Sequence, residues 1–228
     1  MIISIEGNIG SGKSKFIQLF KQYLYEKTSF SDKFVFLSEP VDEWINTKNE
    51  NDENILEVFY KDRKRWSYTF QMNAFITKSK LLMNCDKNKI IVSERSVLTD
   101  KHIFAKSCFE DSSMDKMEEQ LYNKWFEWLT DNLNISPDLI VYLQASPKVS
   151  YERMLKRGRK EEENVSFEYI QKISDYHEEW LSKDKTKNVL ILNVDSDFEN
   201  NKEKLTIMIK DIIKFMTLNL KFSEKLYL

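Results

Sequence analysis

Residues 7–14 have the composition and spacing of a loop that wraps around phosphate groups. They read Gly-Asn-Ile-Gly-Ser-Gly-Lys-Ser and hold three of the four glycines in the chain. After a strand and before a helix, such a loop points backbone amides at a nucleotide's phosphates. Lys13 would then reach the β- and γ-phosphates, and the Ser14 hydroxyl would bind Mg²⁺. We therefore predict a nucleotide site built from Gly7, Asn8, Ile9, Gly10, Ser11, Gly12, Lys13 and Ser14.

Two carboxylates stand where later apolar runs end. Glu39 is followed by Pro40, Val41 and Trp44, and at a sheet edge its carboxylate would take a proton from an attacking hydroxyl. A solvated charge at a strand end explains Glu39 alone equally well. Glu94 is suited to hold Mg²⁺ through water, and Arg95 to stabilise charge near a transferred group. A buried ion pair is the alternative for Glu94 and Arg95.

Arginine is rare and clustered. Only six of the 35 basic residues are arginine, and three of them, Arg153, Arg157 and Arg159, lie within seven residues. Arg153 and Arg157 are four positions apart and share one face of a helix, with Gly158 before Arg159. Arginines on a hinged segment suit a lid that closes over phosphates and excludes water. A charged, solvated helix end is the competing interpretation of this cluster alone.

Strands that alternate with helices would carry these residues to one edge of a sheet. Short aliphatic runs predict buried parallel strands at 2–6, 34–38, 90–93, 139–143 and 189–193. Helical periodicity covers 13–27, 53–60, 62–84, 114–132, 166–182 and 201–219. The alternation predicts a doubly wound α/β fold with ligands at the carboxyl ends of the strands. We expect one domain over 1–228, with surface loops at 46–54 and 108–116.

Composition excludes several classes of protein. The chain has 228 residues, 41% of them hydrophobic, and a net charge of −2. These values argue against disorder of the whole chain and against a protein that grips nucleic acid through bulk positive charge. No apolar run is long enough to span a membrane, and the N-terminal residues do not resemble a targeting peptide, so we expect a cytoplasmic protein. Two cysteines and two histidines exclude a disulfide framework and a structural zinc site.

The ordered set of motifs resembles the deoxynucleoside kinase family, in its deoxycytidine/deoxyguanosine kinase-like branch. The resemblance covers most of the chain. It rests on the segments 5–10, 39–41 with Trp44, 59–60, 65–71, 94–97, 103–105, 142–145, 157–159 and 197–198. The family implies a P-loop kinase fold, a five-stranded parallel sheet surrounded by helices with an Arg-rich lid. It also implies ATP as phosphoryl donor, Mg²⁺, and a homodimer.

The same resemblance implies a role for each matching residue. Glu39 would be the general base for the 5′-hydroxyl, with Arg95 beside the hydroxyl and the phosphate. Tyr60 and Glu162 would bind the 3′-hydroxyl, and Gln71 the edge of the base. The base pocket would be lined by Ile9, Trp44, Phe70 and Phe104. The donor would contact Arg153, Arg157, Arg159, Asp197 and Phe198.

Two positions bear on which base is bound. The thymidine-accepting branch has small or apolar residues where this chain has Lys78 and Asp100, whereas the deoxycytidine and purine branch has an arginine and an aspartate. Asp100 can accept from the exocyclic amino group of cytosine or adenine, and thymine offers an acceptor at that edge. We therefore expect deoxycytidine or a purine deoxynucleoside rather than thymidine. Lysine lacks the bidentate fork of arginine, so the choice among the amino-bearing bases stays open.

Three alternatives remain. Thymidine would be the main substrate if the Lys78/Asp100 interpretation fails. A nucleoside-monophosphate kinase of thymidylate type shares the loop and lid, but Glu39 would repel its phosphorylated acceptor. A non-catalytic nucleotide-binding regulator is disfavoured because Lys13, Glu39 and Arg95 are all present. The tail 221–228 is uninformative, and docked and disordered states both fit it.

Overall fold

A computed structural model describes residues 1–183 and 188–219, so the predictions for the tail 221–228 lie outside the described residues. Its sheet has five strands, all parallel, in the order β2-β3-β1-β4-β5. The strands are β1 Ile2–Glu6, β2 Phe34–Leu37, β3 Ile90–Glu94, β4 Leu139–Gln144 and β5 Val189–Asn193. The predicted strands and the parallel α/β class are confirmed, with ends within one residue of the prediction.

Helices flank this sheet. They are α1 Lys13–Lys27, α2 Val41–Asn46, α3 Ile55–Lys61, α4 Arg63–Met83, α5 Val97–Thr99, α6 Lys106–Glu110, α7 Lys116–Asn132, α8 Pro147–Arg157, α9 Phe167–His177 and α10 Lys202–Asn219. A π-helical stretch, Asp100–Ala105, joins α5 to α6, and another, Glu178–Ser182, extends α9. All six predicted helices are present.

The loop predicted at 108–116 is wrong in part. Helix α6 runs through Glu110, and Cys108 and Met114 are almost fully buried in the core beside α7. The prediction followed the many polar residues of this segment and overlooked the two apolar side chains, Cys108 and Met114, that are buried. Residues 46–54 are mainly a turn, with one bridge between Lys48 and Asn54.

Alternate side chains of each strand pack against opposite helical layers. Ile3 and Ile5 belong to one cluster with residues of α1 and α10, such as Phe16 and Ile209. Ile2 belongs to a second cluster with residues of α4 and α7. Burial on both faces of the sheet explains why the strands have continuous apolar sequences. Among residues 1–183 and 188–219, no helix is long and apolar enough to cross a membrane.

Candidate active site

The glycine-rich loop lies between β1 and α1, in the context that the sequence predicted. Gly10 has φ +78°, and a Cβ on it would lie 2.0 Å from the carbonyl oxygen of Ser150 in α8. Only glycine permits so close an approach, so the loop is held against the first turn of α8. Asn8 connects the loop to α9, because its Nδ2 donates a hydrogen bond to the carbonyl of Ile170 at 2.9 Å.

Lys13 and Ser14 emerge from this loop toward different partners. The Lys13 ammonium donates to the carbonyls of Gly7 at 3.2 Å and Asn8 at 2.7 Å. Burial, together with the nearby Arg95, lowers the pKa of Lys13 to about 7. The Ser14 hydroxyl donates to Glu94 Oε1 at 2.7 Å. Ser14 and Glu94 therefore present two adjacent oxygens, the ligand type that Mg²⁺ prefers.

Arg95 follows β3 in a left-handed backbone conformation, with φ +62°. Its guanidinium donates to the carbonyl of Gly7 at 2.9 Å and lies 4.9 Å from the centre of the Phe104 ring. The next turn is anchored by the fully buried Glu6, whose carboxylate accepts from the hydroxyls of Ser96 and Thr99. Sequence reasoning missed this anchor, for which the hydroxyls at the start of α5 were the available signal.

Glu39 lies at the end of β2 between two cations. Its Oε1 is 3.2 Å from the Lys78 ammonium and 3.5 Å from Arg95 Nε. Burial alone would raise the pKa of Glu39, but Lys78, Arg95 and Lys13 lower it below its ordinary value. The carboxylate is therefore ionised and able to accept a proton at neutral pH.

Lys78 also pairs with Asp100, at 2.6 Å. Both side chains are almost fully buried, and burial raises the pKa of Asp100 to about 6 despite the lysine. The second oxygen of Asp100, Oδ2, has no hydrogen-bond partner among the described residues. Such a buried oxygen is available to a ligand that donates a hydrogen bond.

Gln71 provides a second buried polar group without partners. Its side chain is 1% exposed, and within the described part of the chain neither amide atom makes a hydrogen bond. Aromatic rings surround this region: Trp44 meets Phe70 edge-on at 5.3 Å, and Phe59 stacks on Phe70 at 4.6 Å. Gln71 therefore offers a donor and an acceptor between apolar walls, the arrangement expected of a site for a flat polar ring.

One cavity, here called the α4 cavity, brings together every residue predicted to bind the acceptor. Its lining includes Ile9, Glu39, Trp44, Tyr60, Phe70, Gln71, Lys78, Arg95, Asp100, Phe104 and Glu162. Ser38, Val41, Leu56, Phe59 and Ala74 also line it and were not predicted as site residues. Phe59 and Val41 stood in the recognised motifs; the other three carried no chemical signal.

A second cavity, the α8 cavity, also borders the glycine-rich loop and is lined by residues of α8. It is lined by Gly10, Gly12, Lys13, Ser14, Lys15, Glu94, Arg153, Lys156, Arg157, Asp197, Phe198, Glu199 and Asn200. The two cavities share Lys13, Ser14, Glu94 and Arg157. A chemical group transferred between ligands in the two cavities would therefore contact these four shared residues.

The three clustered arginines occupy different surroundings. Arg157 and Arg159 both pair with Glu162, at 2.7 Å and 3.1 Å from Oε1. Arg153 donates to the carbonyl of Asp195 at 3.2 Å, while its buried Nη1 has no hydrogen-bond partner in the described chain. The prediction that these residues form a moving lid stays a prediction.

The predicted donor residues 197 and 198 are partly structural. Asp197 accepts from the backbone amides of Glu199 and Asn200, so it stabilises its own turn. The Phe198 ring is 1% exposed and meets Phe16 edge-on at 5.9 Å. Phe198 therefore supports the wall of the α8 cavity from the core.

Comparisons with known proteins agree on one family. The sequence model described as deoxynucleoside kinase matches residues 3–217. A fowlpox virus protein named probable deoxycytidine kinase is 36% identical over 94% of this chain and 88% of its own length. Mitochondrial deoxyguanosine kinase of Xenopus laevis is 35% identical, with coverages of 87% and 83%. Human deoxycytidine kinase is 31% identical, with coverages of 92% and 90%.

Proposed function

The chain belongs to the deoxynucleoside kinase family and is a phosphotransferase, and from that premise we propose its reaction. It transfers the γ-phosphoryl group of ATP to the 5′-hydroxyl of deoxycytidine or a purine deoxynucleoside and releases the 5′-monophosphate for nucleotide salvage. Residues 1–228 act as one domain in this reaction. The observation that carries the proposal is the position of Glu39, which lines the α4 cavity together with Lys13 and Ser14 of the phosphate-binding loop and contacts Lys78 and Arg95.

In this mechanism the nucleoside occupies the α4 cavity. Tyr60 and Glu162 bind the 3′-hydroxyl, and Gln71 binds the base between Phe70 and Phe104. Glu39 accepts the proton of the 5′-hydroxyl as its oxygen attacks phosphorus. These roles are supported by the shared lining of one cavity and by the Gln71 amide, which makes no hydrogen bond within the described part of the chain.

ATP places its phosphates on the glycine-rich loop and the rest of the donor in the α8 cavity. Lys13 and Arg95 stabilise negative charge on the transferred group, and Arg153, Arg157 and Arg159 add positive charge from α8 and the residues after it. Asp197 and Phe198, in the loop after β5, line the part of the α8 cavity that receives the donor. Catalysis rests mainly on position and electrostatics, since phosphoryl transfer requires little covalent help from the protein.

Mg²⁺ fits the two adjacent oxygens of Ser14 and Glu94, which lie 2.7 Å apart. When bound, the ion would neutralise phosphate charge. Among the described residues there is no group of three His, Cys, Asp or Glu side chains that could hold a metal. We assign the ion to Ser14 and Glu94 because their side-chain oxygens are adjacent and are the ligand type that Mg²⁺ prefers.

Asp100 and Lys78 select the base in this proposal. Asp100 Oδ2, which has no hydrogen-bond partner among the described residues, accepts from an exocyclic amino group, and the keto oxygen of thymine would repel this carboxylate. The relatives compared above are named for deoxycytidine and deoxyguanosine. A cytoplasmic location remains a prediction, since one relative is named as mitochondrial.

Release of ADP from purified protein with ATP and Mg²⁺ tests this proposal. Deoxycytidine, deoxyadenosine, deoxyguanosine, thymidine and thymidine monophosphate are compared in parallel. We expect turnover with the amino-bearing nucleosides and little with thymidine, and the double variant Lys78→Ala/Asp100→Ala should widen acceptance toward thymidine. Thymidine as best substrate of the unmodified protein would refute the assignment of the base. Activity with the monophosphate alone would refute the nucleoside acceptor.

We also propose that the chain is a homodimer through α4 and α7. Trp125 and Trp128 are 49% and 56% exposed, so packing in the monomer core does not explain them. Ile76 and Met83 are each 50% exposed on α4, which packs beside α7. Covering this apolar surface with a second copy would remove it from water. Light scattering should give twice the chain mass, and Trp125→Asp should give a monomer while Tyr25→Asp, at another exposed aromatic, should not.

A further inference from the structure

The Lys78 ammonium lies between two carboxylates with different tasks. It is 2.6 Å from Asp100 Oδ1 and 3.2 Å from Glu39 Oε1, and the side chain is 5% exposed. The centre of the Trp44 ring lies 5.7 Å from the same nitrogen. A lysine ammonium is a compact point charge with three donors, so one such group can contact both acids at once.

We infer that Lys78 is a positioning residue that couples the bound nucleobase to the general base Glu39. The inference rests on the proposed function, because it assigns Asp100 to the base and Glu39 to the 5′-hydroxyl. It adds that one ammonium holds both acids, so a change at one of them alters the other.

The geometry gives this coupling a direction. An exocyclic amino group would donate to Asp100 Oδ2, which is buried and unpaired among the described residues, and would leave the contact between Lys78 and Oδ1 in place. A base with a carbonyl at that edge would place its oxygen against the Asp100 carboxylate. The Lys78 ammonium, which contacts Asp100, could donate a hydrogen bond to that carbonyl oxygen. Movement of the ammonium toward that carbonyl would weaken its contact with Glu39. A mismatched base therefore lowers kcat as well as affinity.

The surroundings of Glu39 make the effect measurable. The carboxylate is influenced by Lys78 from α4, Arg95 after β3 and Lys13 from α1, while Asp100 lies on the far side of Lys78. Tyr60 from α3 is the neighbouring hydroxyl group. The three cations favour the ionised form, so removal of one should make Glu39 easier to protonate.

The test is the pH dependence of kcat with deoxycytidine for the wild type, Lys78→Met, Lys78→Arg and Asp100→Asn. In Lys78→Met we expect the acidic limb of kcat to move to higher pH by about one unit, so that kcat at a given pH on that limb falls about tenfold. Lys78→Arg should return the limb to its wild-type position, because it restores the charge. Asp100→Asn should raise KM about tenfold and move the acidic limb to lower pH, because Lys78 then serves Glu39 as its one remaining carboxylate partner of the two. Lys21→Met, at an exposed position of α1, is the matched control and should match the wild type.

Two results would overturn the inference. One is an increase in KM alone for Lys78→Met, with the acidic limb unmoved, which would make Lys78 a ligand of the base and nothing more. The other is a Lys78→Arg protein whose acidic limb is shifted although its circular dichroism spectrum is that of the wild type. Lys78→Arg keeps the charge, so it decides the question if Lys78→Met does not fold. Failure of the proposed function is a separate result, since it requires a wild type inactive toward every nucleoside.

Discussion

The α4 cavity and the α8 cavity differ in how their charged side chains are partnered. In the α4 cavity, Glu39, Lys78, Arg95 and Asp100 are mostly buried and contact one another. In the α8 cavity, Lys15 and Lys156, which do not line the α4 cavity, are both exposed. Buried pairs hold their geometry before any ligand arrives, whereas exposed cations are ordered mainly by the charge that a ligand brings. The comparison implies that changes at the α4 cavity alter turnover and nucleoside binding, and changes at the α8 cavity alter donor affinity.

The strongest test of the α4 cavity is Glu39→Gln. We expect turnover to fall by at least about 10²-fold, because the amide accepts no proton from the 5′-hydroxyl. Binding of the nucleoside should be spared, which equilibrium titration measures alongside steady-state kinetics. The matched control is Glu43→Gln, which changes an exposed carboxylate in α2. Unchanged turnover in Glu39→Gln would remove this residue as general base.

Gln71→Leu separates binding from stability within the α4 cavity. We expect KM for the nucleoside to rise roughly 10- to 100-fold, because hydrogen bonds to the base are lost. The free energy of unfolding should rise by about 1–3 kcal/mol, since the variant no longer buries an amide that lacks partners in residues 1–183 and 188–219. Kinetics and chemical denaturation measure the two effects, and Gln22→Leu on an exposed face of α1 is the control. A less stable variant with unchanged KM would assign Gln71 to the core alone.

Arg153→Gln tests the α8 cavity. The buried Nη1 of Arg153 has no partner among the described residues and is available to a donor phosphate. We expect KM for ATP to rise about tenfold, because one charge-assisted hydrogen bond to the donor is lost. The KM for the nucleoside should stay unchanged. The control is Arg65→Gln, which removes an exposed arginine at α4. An equal rise in both KM values would contradict the division of the two cavities.

The smallest effect concerns Lys13, which both cavities share. Its pKa of about 7 lies below the ordinary value, and phosphate charge should raise it again, so ATP binding at pH 8 should take up a proton. ATP affinity should fall roughly fivefold between pH 7 and pH 8, because the neutral amine must first be protonated. Calorimetry in buffers of different ionisation enthalpy measures the uptake. Lys13→Arg stays protonated, so proton uptake that persists in this variant would exclude Lys13 as its source.

Much of the fold followed from local patterns. Each strand is a short aliphatic run, and each long helix has apolar residues at helical spacing, so neighbours in sequence decide these elements. Helix α2 was missed because it has only six residues. The π-helical stretch Asp100–Ala105 was also missed, since no sequence period identifies such a turn.

The membership of the site also followed largely from the chain. The family resemblance, together with the motifs, predicted the acceptor residues that line the α4 cavity and most of those at the α8 cavity. What the motifs did not predict was how those residues are partnered. Glu6 beneath Ser96 and Thr99, and Asp197 within its own turn, acquired their structural roles only from contacts.

The sequence by itself determined the phosphate-binding loop, the parallel sheet and the family, because each depends on residues at short, countable spacing. Only the tertiary structure decided that Lys78 contacts both Asp100 and Glu39, and that Gln71 is buried without a partner among the described residues. Those facts depend on distances between β2, α4 and the π-helical stretch after α5. The packing of helices against the sheet sets such distances to fractions of an ångström, and no spacing along the chain encodes them.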